Sequence, residues 1–181
     1  LFALLSLHEG LSPWIAAPVT LAAGAACGLV SGTLVARFRI QPFIATLAMM
    51  VFARGLAKWV SGGMKVSTVV QKPDGSYVFA EVPAFFNALS GKMLGGNLAV
   101  VTLVFLVCLG LCAWLLACTR WGRYIYATGG SEEAARLSGV PVLRTKLLVY
   151  VLSGLLSAVA GICQAAQELQ GDPEAGVSYE L

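Results

Sequence analysis

The chain has 181 residues, 58% hydrophobic and 12% charged, with a formal net charge of +3, whereas soluble domains carry roughly 25% charged residues. Its mean hydropathy is +0.81, and its apolar residues fall in blocks of about 20, the span of a bilayer core. These values exclude an ordinary soluble domain. They give no basis for nucleic-acid binding either, because the basic residues flank the apolar blocks instead of forming a patch.

Residues 1–7 read as the tail of an earlier span and His8-Glu9-Gly10 as a short turn. His8, the single histidine, is a solvated turn residue in this reading. The chain as a whole reads as an internal fragment of a longer polytopic protein. The first whole span is predicted over 13–36. There Gly24, Gly28 and Gly32 recur every four residues beside Ala25 and Ser31, a stripe that lets a second helix backbone approach closely within lipid. Glycine is common in membrane helices, but three in phase point to a packing face.

Arg37-Phe38-Arg39-Ile40-Gln41-Pro42 stops this span and starts the next, since proline is tolerated in a helix's first turn. The second span, 43–60, carries Thr46, Arg54 and Lys58. The two cations share a face and either snorkel to the interface or line a polar path between helices. Residues 61–97 form the longest polar segment. Lys72-Pro73-Asp74-Gly75 has the residues of a tight turn, Tyr77-Val78-Phe79 and Glu81-Val82 form a candidate strand pair, and Phe85-Phe86-Asn87-Ala88-Leu89 is a candidate interfacial helix. The third span, 98–118, is nearly pure aliphatic. Thr119-Arg120-Trp121-Gly122-Arg123-Tyr124 ends it with arginines and aromatics interleaved, as at a membrane interface.

A polar island follows, residues 129–141. Gly129 and Gly130 open it, Ser131 is placed to cap a short helix, and Glu132 and Glu133 put negative charge at the positive end of its dipole. Gly139 suits the left-handed position that ends a helix, and Pro141 forbids continuation. Two helical turns are marginal alone in water, so a docking partner is expected; an ordinary capped loop helix is the alternative. The fourth span, 147–167, has Gly154 and Gly161 seven apart on one face and Gln164 near its end, before a polar, acidic exit over 171–181. Cys27, Cys108, Cys112, Cys118 and Cys163 lie in or beside the spans without a partner set, and read as small apolar packing residues. No metal site is expected.

Basic residues in loops orient the spans. Arg37, Arg39, Arg120, Arg123, Arg136, Arg144 and Lys146 fall in short loops on one side, while Lys65, Lys72 and Lys92 are diluted over the long loop on the other. The first side is therefore read as cytoplasmic, with 119–146 as a cytoplasmic coupling loop and 61–97 as an extracytoplasmic one. Catalytic signatures are missing: there is no His-Glu-x-x-His, no Ser/His/Asp set, no Walker loop around Gly91-Lys92 and no Gly-x-Gly-x-x-Gly. The residues thus describe an all-α, polytopic transmembrane helical bundle with about four whole spans and a partial one. It reads as a conduit, with a membrane scaffold that docks a cytoplasmic partner as the alternative, and a membrane-embedded enzyme as a third reading that the absence of a catalytic set disfavours.

Glu133-Ala134-Ala135-x-x-x-Gly139 resembles the "EAA" loop of the membrane subunits of ATP-binding-cassette importers. The longer stretch from Thr119-Arg120-Trp121-Gly122-Arg123-Tyr124 through Gly129-Gly130-Ser131 to Gly139-Val140 is similar to the permease branch importing ribose, galactose, xylose and related monosaccharides. Gln41-Pro42-Phe43-Ile44-Ala45-Thr46-Leu47, Tyr150-x-Leu152-Ser153-Gly154-Leu155, and Ala160-Gly161 with Gly176-x-x-Tyr179-Glu180-Leu181 agree. The family usually has Asn at Ser131 and Gly at Ser178. The resemblance implies a multi-pass protein of the bacterial inner membrane, a second permease subunit, identical or not, an extracytoplasmic sugar-binding protein, and a cytoplasmic ATPase subunit that binds the ATP; the chain itself would need no cofactor. It implies further that Glu132, Glu133, Ala134, Ala135, Arg136 and Gly139 couple to the ATPase subunit. The candidate path residues for the sugar are Phe43, Thr46 and Gln164, and Gly24, Gly28, Gly32, Gly154 and Gly161 are the candidate packing glycines.

Overall fold

Two prolines start two of the long helices at the position where a missing N–H costs nothing: α1 spans Pro13–Ala36 and α2 Pro42–Val60. In the computed structural model, which describes residues 2–8, 12–63, 66–67, 69–71, 77–79, 92–93, 98–168 and 170–172, they are followed by α3 (Val100–Cys118), α4 (Arg120–Gly130), α5 (Glu132–Leu137) and α6 (Val142–Glu168). A π-helical turn, Leu4–His8, precedes α1 and ends on His8. Helices α1, α2, α3 and α6 are long and apolar enough to cross a membrane. The fold is all-α, and the chain is a multi-pass membrane protein.

Strands are two or three residues long and pair antiparallel: β1 (Val66–Ser67) with β6 (Gln170–Gly171), β2 (Val69–Gln71) with β3 (Tyr77–Phe79), and β4 (Lys92–Met93) with β5 (Leu98–Ala99). Tyr77–Phe79 therefore pairs back across the expected turn. That turn, Glu81-Val82 and the expected helix at 85–89 lie outside the described residues, as do 173–181. Two expectations need adjusting. The last long helix begins at Val142, five residues before Leu147, and the expected interfacial belt at 119–124 is the start of a separate helix, α4.

The packing centre is the α1–α6 pair. An added Cβ at Gly154 would fall on Gly24 O and lie 3.1 Å from Gly28 N, one at Gly24 would lie 2.6 Å from Gly154 O, and one at Gly28 would meet Tyr150 O. At Gly32 it would come within 2.9 Å of the Tyr150 Cβ. Main chain thus lies on main chain, which any side chain at these positions would prevent. Gly161 departs from the expected packing set: a Cβ there meets nothing within 4 Å. Toward the far end larger side chains take over, and Phe2, Ala3, Ala16, Ile162, Ala165 and Ala166 form the buried cluster. Hydroxyls within the spans return to their own helices, as from Thr20 to Ala16 O at 2.8 Å and Ser31 to Cys27 O at 3.0 Å. This satisfies donors that lipid could not.

Candidate functional site

Helices α4 and α5 hang on two single residues. Thr119 lies between α3 and α4 in extended conformation. Its hydroxyl donates to Leu115 O at 2.6 Å and accepts from Gly122 N at 3.2 Å, so one side chain closes one helix and caps the next. The elbow is tight enough that a Cβ on Gly122 would run into Leu116 O. Ser131 repeats the arrangement: its N–H donates to Ala127 O at 3.2 Å, and its Oγ accepts from Ala134 N at 3.3 Å. Gly129 and Gly130 accordingly end α4 and do not open α5.

At the other end of α5, Gly139 N donates to Arg136 O at 3.1 Å and Val140 N to Ala135 O at 3.0 Å. These two bonds define a Schellman motif, whose left-handed residue is Gly139, at φ 79°. Pro141 O then accepts from both the N–H and the hydroxyl of the buried Thr145, at 3.0 and 3.1 Å. Every turn from α4 to α6 is thereby capped. The six-residue helix is fixed by its ends, not by its length.

The 100° periodicity of a helix sorts its side chains. Ala135 is 4% exposed and faces the chain, so it holds α5 in place; it does not offer the small docking surface expected of it. Glu133 and Leu137 share the opposite face and Ala134 flanks it, and all three are exposed. Leu137 is 85% exposed, a bare apolar group at the tip of a polar element. Arg136 and Gly139 are also exposed. Glu132 stands to one side: Lys146 Nζ, in α6, donates to its Oε2 at 2.6 Å, and Arg136 lies 3.9 Å from its Oε1. The Lys146 hydrogen bond holds the Glu132 carboxyl below the usual carboxylate value, assisted by the charges of Lys146, Arg136 and Arg39.

The candidate path residues separate. Thr46 lines a crevice of about 570 Å³ between α1, α2 and α6, where Thr20, Ser31, Tyr150, Ser153 and Ser157 bring further hydroxyls. Gln164 lines a different and largely apolar groove of about 830 Å³ between α3 and α6. There its Nε2 donates to Glu168 Oε1 at 3.1 Å. Phe43 is 68% exposed in the first turn of α2 and lines neither. Arg54 is half-buried and Lys58 exposed near the end of α2. Sequence reasoning missed Leu137, the Lys146 contact and the crevice hydroxyls. Of these, Tyr150, Ser153 and Ser157 were legible as a three-and-four spacing on one helical face.

The whole chain, residues 1–181, matches the family model described as branched-chain amino acid transport system / permease component. Among curated relatives, the ribose import permease protein RbsC of Escherichia coli K12 is 42% identical over 169 residues, 92% of this chain and 49% of the relative. The L-arabinose transport system permease protein AraH of the same strain is 42% identical over 84% of this chain and 42% of the relative. The fructose import permease protein FruG of Bifidobacterium longum NCC 2705 is 37% identical over 96% and 50%. The chain spans about half the length of the curated relatives it matches. No solved structure matches it.

Proposed function

The chain belongs to the permease-component family, and on that premise we propose that it is the membrane-spanning part of an ATP-binding-cassette importer for a monosaccharide. It would sit in the bacterial inner membrane as one of two permease subunits, served by an extracytoplasmic sugar-binding protein and driven by a separate cytoplasmic ATPase subunit. The observation that carries this reading is α5: a short helix capped at both ends, held inward by Ala135, with Glu133 and Leu137 bare on the outer face and Ala134 bare on its flank. An apolar tip rimmed by charge suits a groove on a partner, burying Leu137 while Glu133 and Arg136 set orientation at the edge. Tight capping makes the element stiff, so displacement of the partner's groove displaces the helix and not merely a loop.

The family description names amino acids, whereas the individual relatives carry the names of ribose, arabinose and fructose. The crevice around Thr46 supports the second class. Four of its hydroxyls donate to backbone carbonyls, Thr20 to Ala16 O, Ser31 to Cys27 O, Thr46 to Pro42 O at 3.0 Å and Ser157 to Ser153 O at 2.9 Å, leaving oxygen lone pairs to accept from the hydroxyls of a neutral polyol. Among the described residues, no charged side chain lines the crevice to pair with the ammonium and carboxylate of an amino acid.

ATP-dependent uptake into proteoliposomes holding the full-length complex tests the reading, with labelled pentoses, hexoses and branched-chain amino acids compared directly. Pentose or hexose uptake is expected. Uptake of amino acids alone would replace the substrate class, and uptake unaffected by deleting this subunit would make it a scaffold. A cysteine at Ser76 should react with an impermeant reagent from outside and one at Ser131 should not; the reverse pattern would invert the topology.

A further inference from the structure

Glu132 is the one acidic residue of α5 turned away from its outer face, and it reaches across to another helix. The bond from Lys146 Nζ to Glu132 Oε2, at 2.6 Å, has the short length of a charge-assisted contact. It joins the first residue of α5 to the second turn of α6. The chain already connects the other end of α5 to α6, through Gly139, Val140 and Pro141. The short helix is therefore attached to α6 at both ends, once by covalent backbone and once by charge. A rod held at one end pivots under load, and a rod held at both passes displacement on.

Beyond the attachment the load path is rigid. Thr145, next to Lys146, is 1% exposed, and farther along α6 the backbone of Gly154 lies against that of Gly24 in α1. The pair itself is half in solvent, with the Lys146 and Glu132 side chains 26% and 47% exposed. Pairs of that exposure add little to stability, so its value is in position and not in folding.

We propose that the Glu132–Lys146 ion pair is the second anchor of the coupling helix, a positioning contact that makes α5, α6 and α1 move together. Glu132 is then an internal strut and not a contact of the ATPase subunit. This rests on the coupling role given to α5 above.

The test uses the full-length permease reconstituted with its ATPase and binding protein, reading ATP hydrolysed per sugar delivered alongside folded yield and melting temperature. Glu132→Lys and Lys146→Glu should each raise the ratio about 2- to 5-fold, the factor set by the coupling energies of half-exposed pairs. The milder Lys146→Gln should do the same in part. Folded yield should not change, and the double swap Glu132→Lys/Lys146→Glu should restore the ratio. Single variants that uncouple without rescue by the swap would make Glu132 a partner contact and overturn the strut. Unchanged ratios in all three, with Glu133→Lys uncoupled in parallel, would overturn it while leaving the coupling helix intact. If Glu133→Lys is silent as well, the coupling role itself fails, and the strut with it.

Discussion

Helix α3 is the most apolar of the four long helices among the described residues, with a mean hydropathy of 2.7 over its most apolar stretch against 1.8 for α1. Yet α3 buries none of its residues, whereas α1 buries Ala16, Gly28, Ser31, Gly32 and Val35. The two helices differ in what they offer a neighbour. Gly110 of α3 has open space around it, while Gly24, Gly28 and Gly32 of α1 have a partner backbone or side chain against them. Hydrophobicity puts a helix into lipid but does not choose its companion there, because lipid tails are as apolar as leucine. Companionship follows from how closely two backbones can approach, and small residues decide that.

The largest test of this contrast is the same substitution in both helices. Gly28→Leu must displace Tyr150 and the α6 backbone, and should destabilise by at least the ~1–3 kcal/mol of an overpacked core, seen as loss of folded protein on size exclusion in detergent. Gly110→Leu should leave that yield unchanged; equal losses would mean the contrast reflects insertion rather than packing. Gly154→Val against Gly161→Val repeats the comparison within α6, with only the first expected to lower the yield. Gly122→Ala comes next, since a methyl meets Leu116 O at the α3–α4 elbow; a loss of about 1–2 kcal/mol in melting experiments is expected. Ser131→Ala removes the cap shared by α4 and α5, at a cost of about 1 kcal/mol, and Ser131→Asn should recover most of it. The smallest stability effect belongs to Leu137→Asp, an exposed change within ~0.5 kcal/mol. Its uptake should nonetheless fall severely, because the bare side chain serves a partner and not the fold.

The glycine stripe of α1 was legible because four-residue spacing places side chains on one helical face whatever the surroundings. Both caps of α5 were legible for a similar reason: Ser131 and Gly139 act through backbone atoms within a few residues. The same logic failed at Gly161, seven residues from Gly154 and on its face. Beyond Gly161 the buried cluster continues with Ala16, Ile162, Ala165 and Ala166, and sequence does not mark where along a face backbone contact gives way to side chains. Ala135 misled differently. Its size suited a docking surface, but the inward side of a six-residue helix depends on where α4 and α6 lie. Phe43, Thr46 and Gln164 are polar or aromatic residues in apolar spans, a pattern that says something is accommodated without saying that they share a space.

Sequence by itself determined the class of the protein, its four long helices, the capped helix among its basic loops and the stripe on which α1 packs, since each depends on composition or on neighbours within one or two turns. Tertiary structure alone decided that α6 is the partner of that stripe, that the crevice hydroxyls gather around Thr46, that Leu137 faces out while Ala135 faces in, and that Lys146 fastens Glu132. These are contacts between helices, and within lipid they are selected by backbone approach and paired polar groups at residues far apart in the chain, for which no local spacing rule exists.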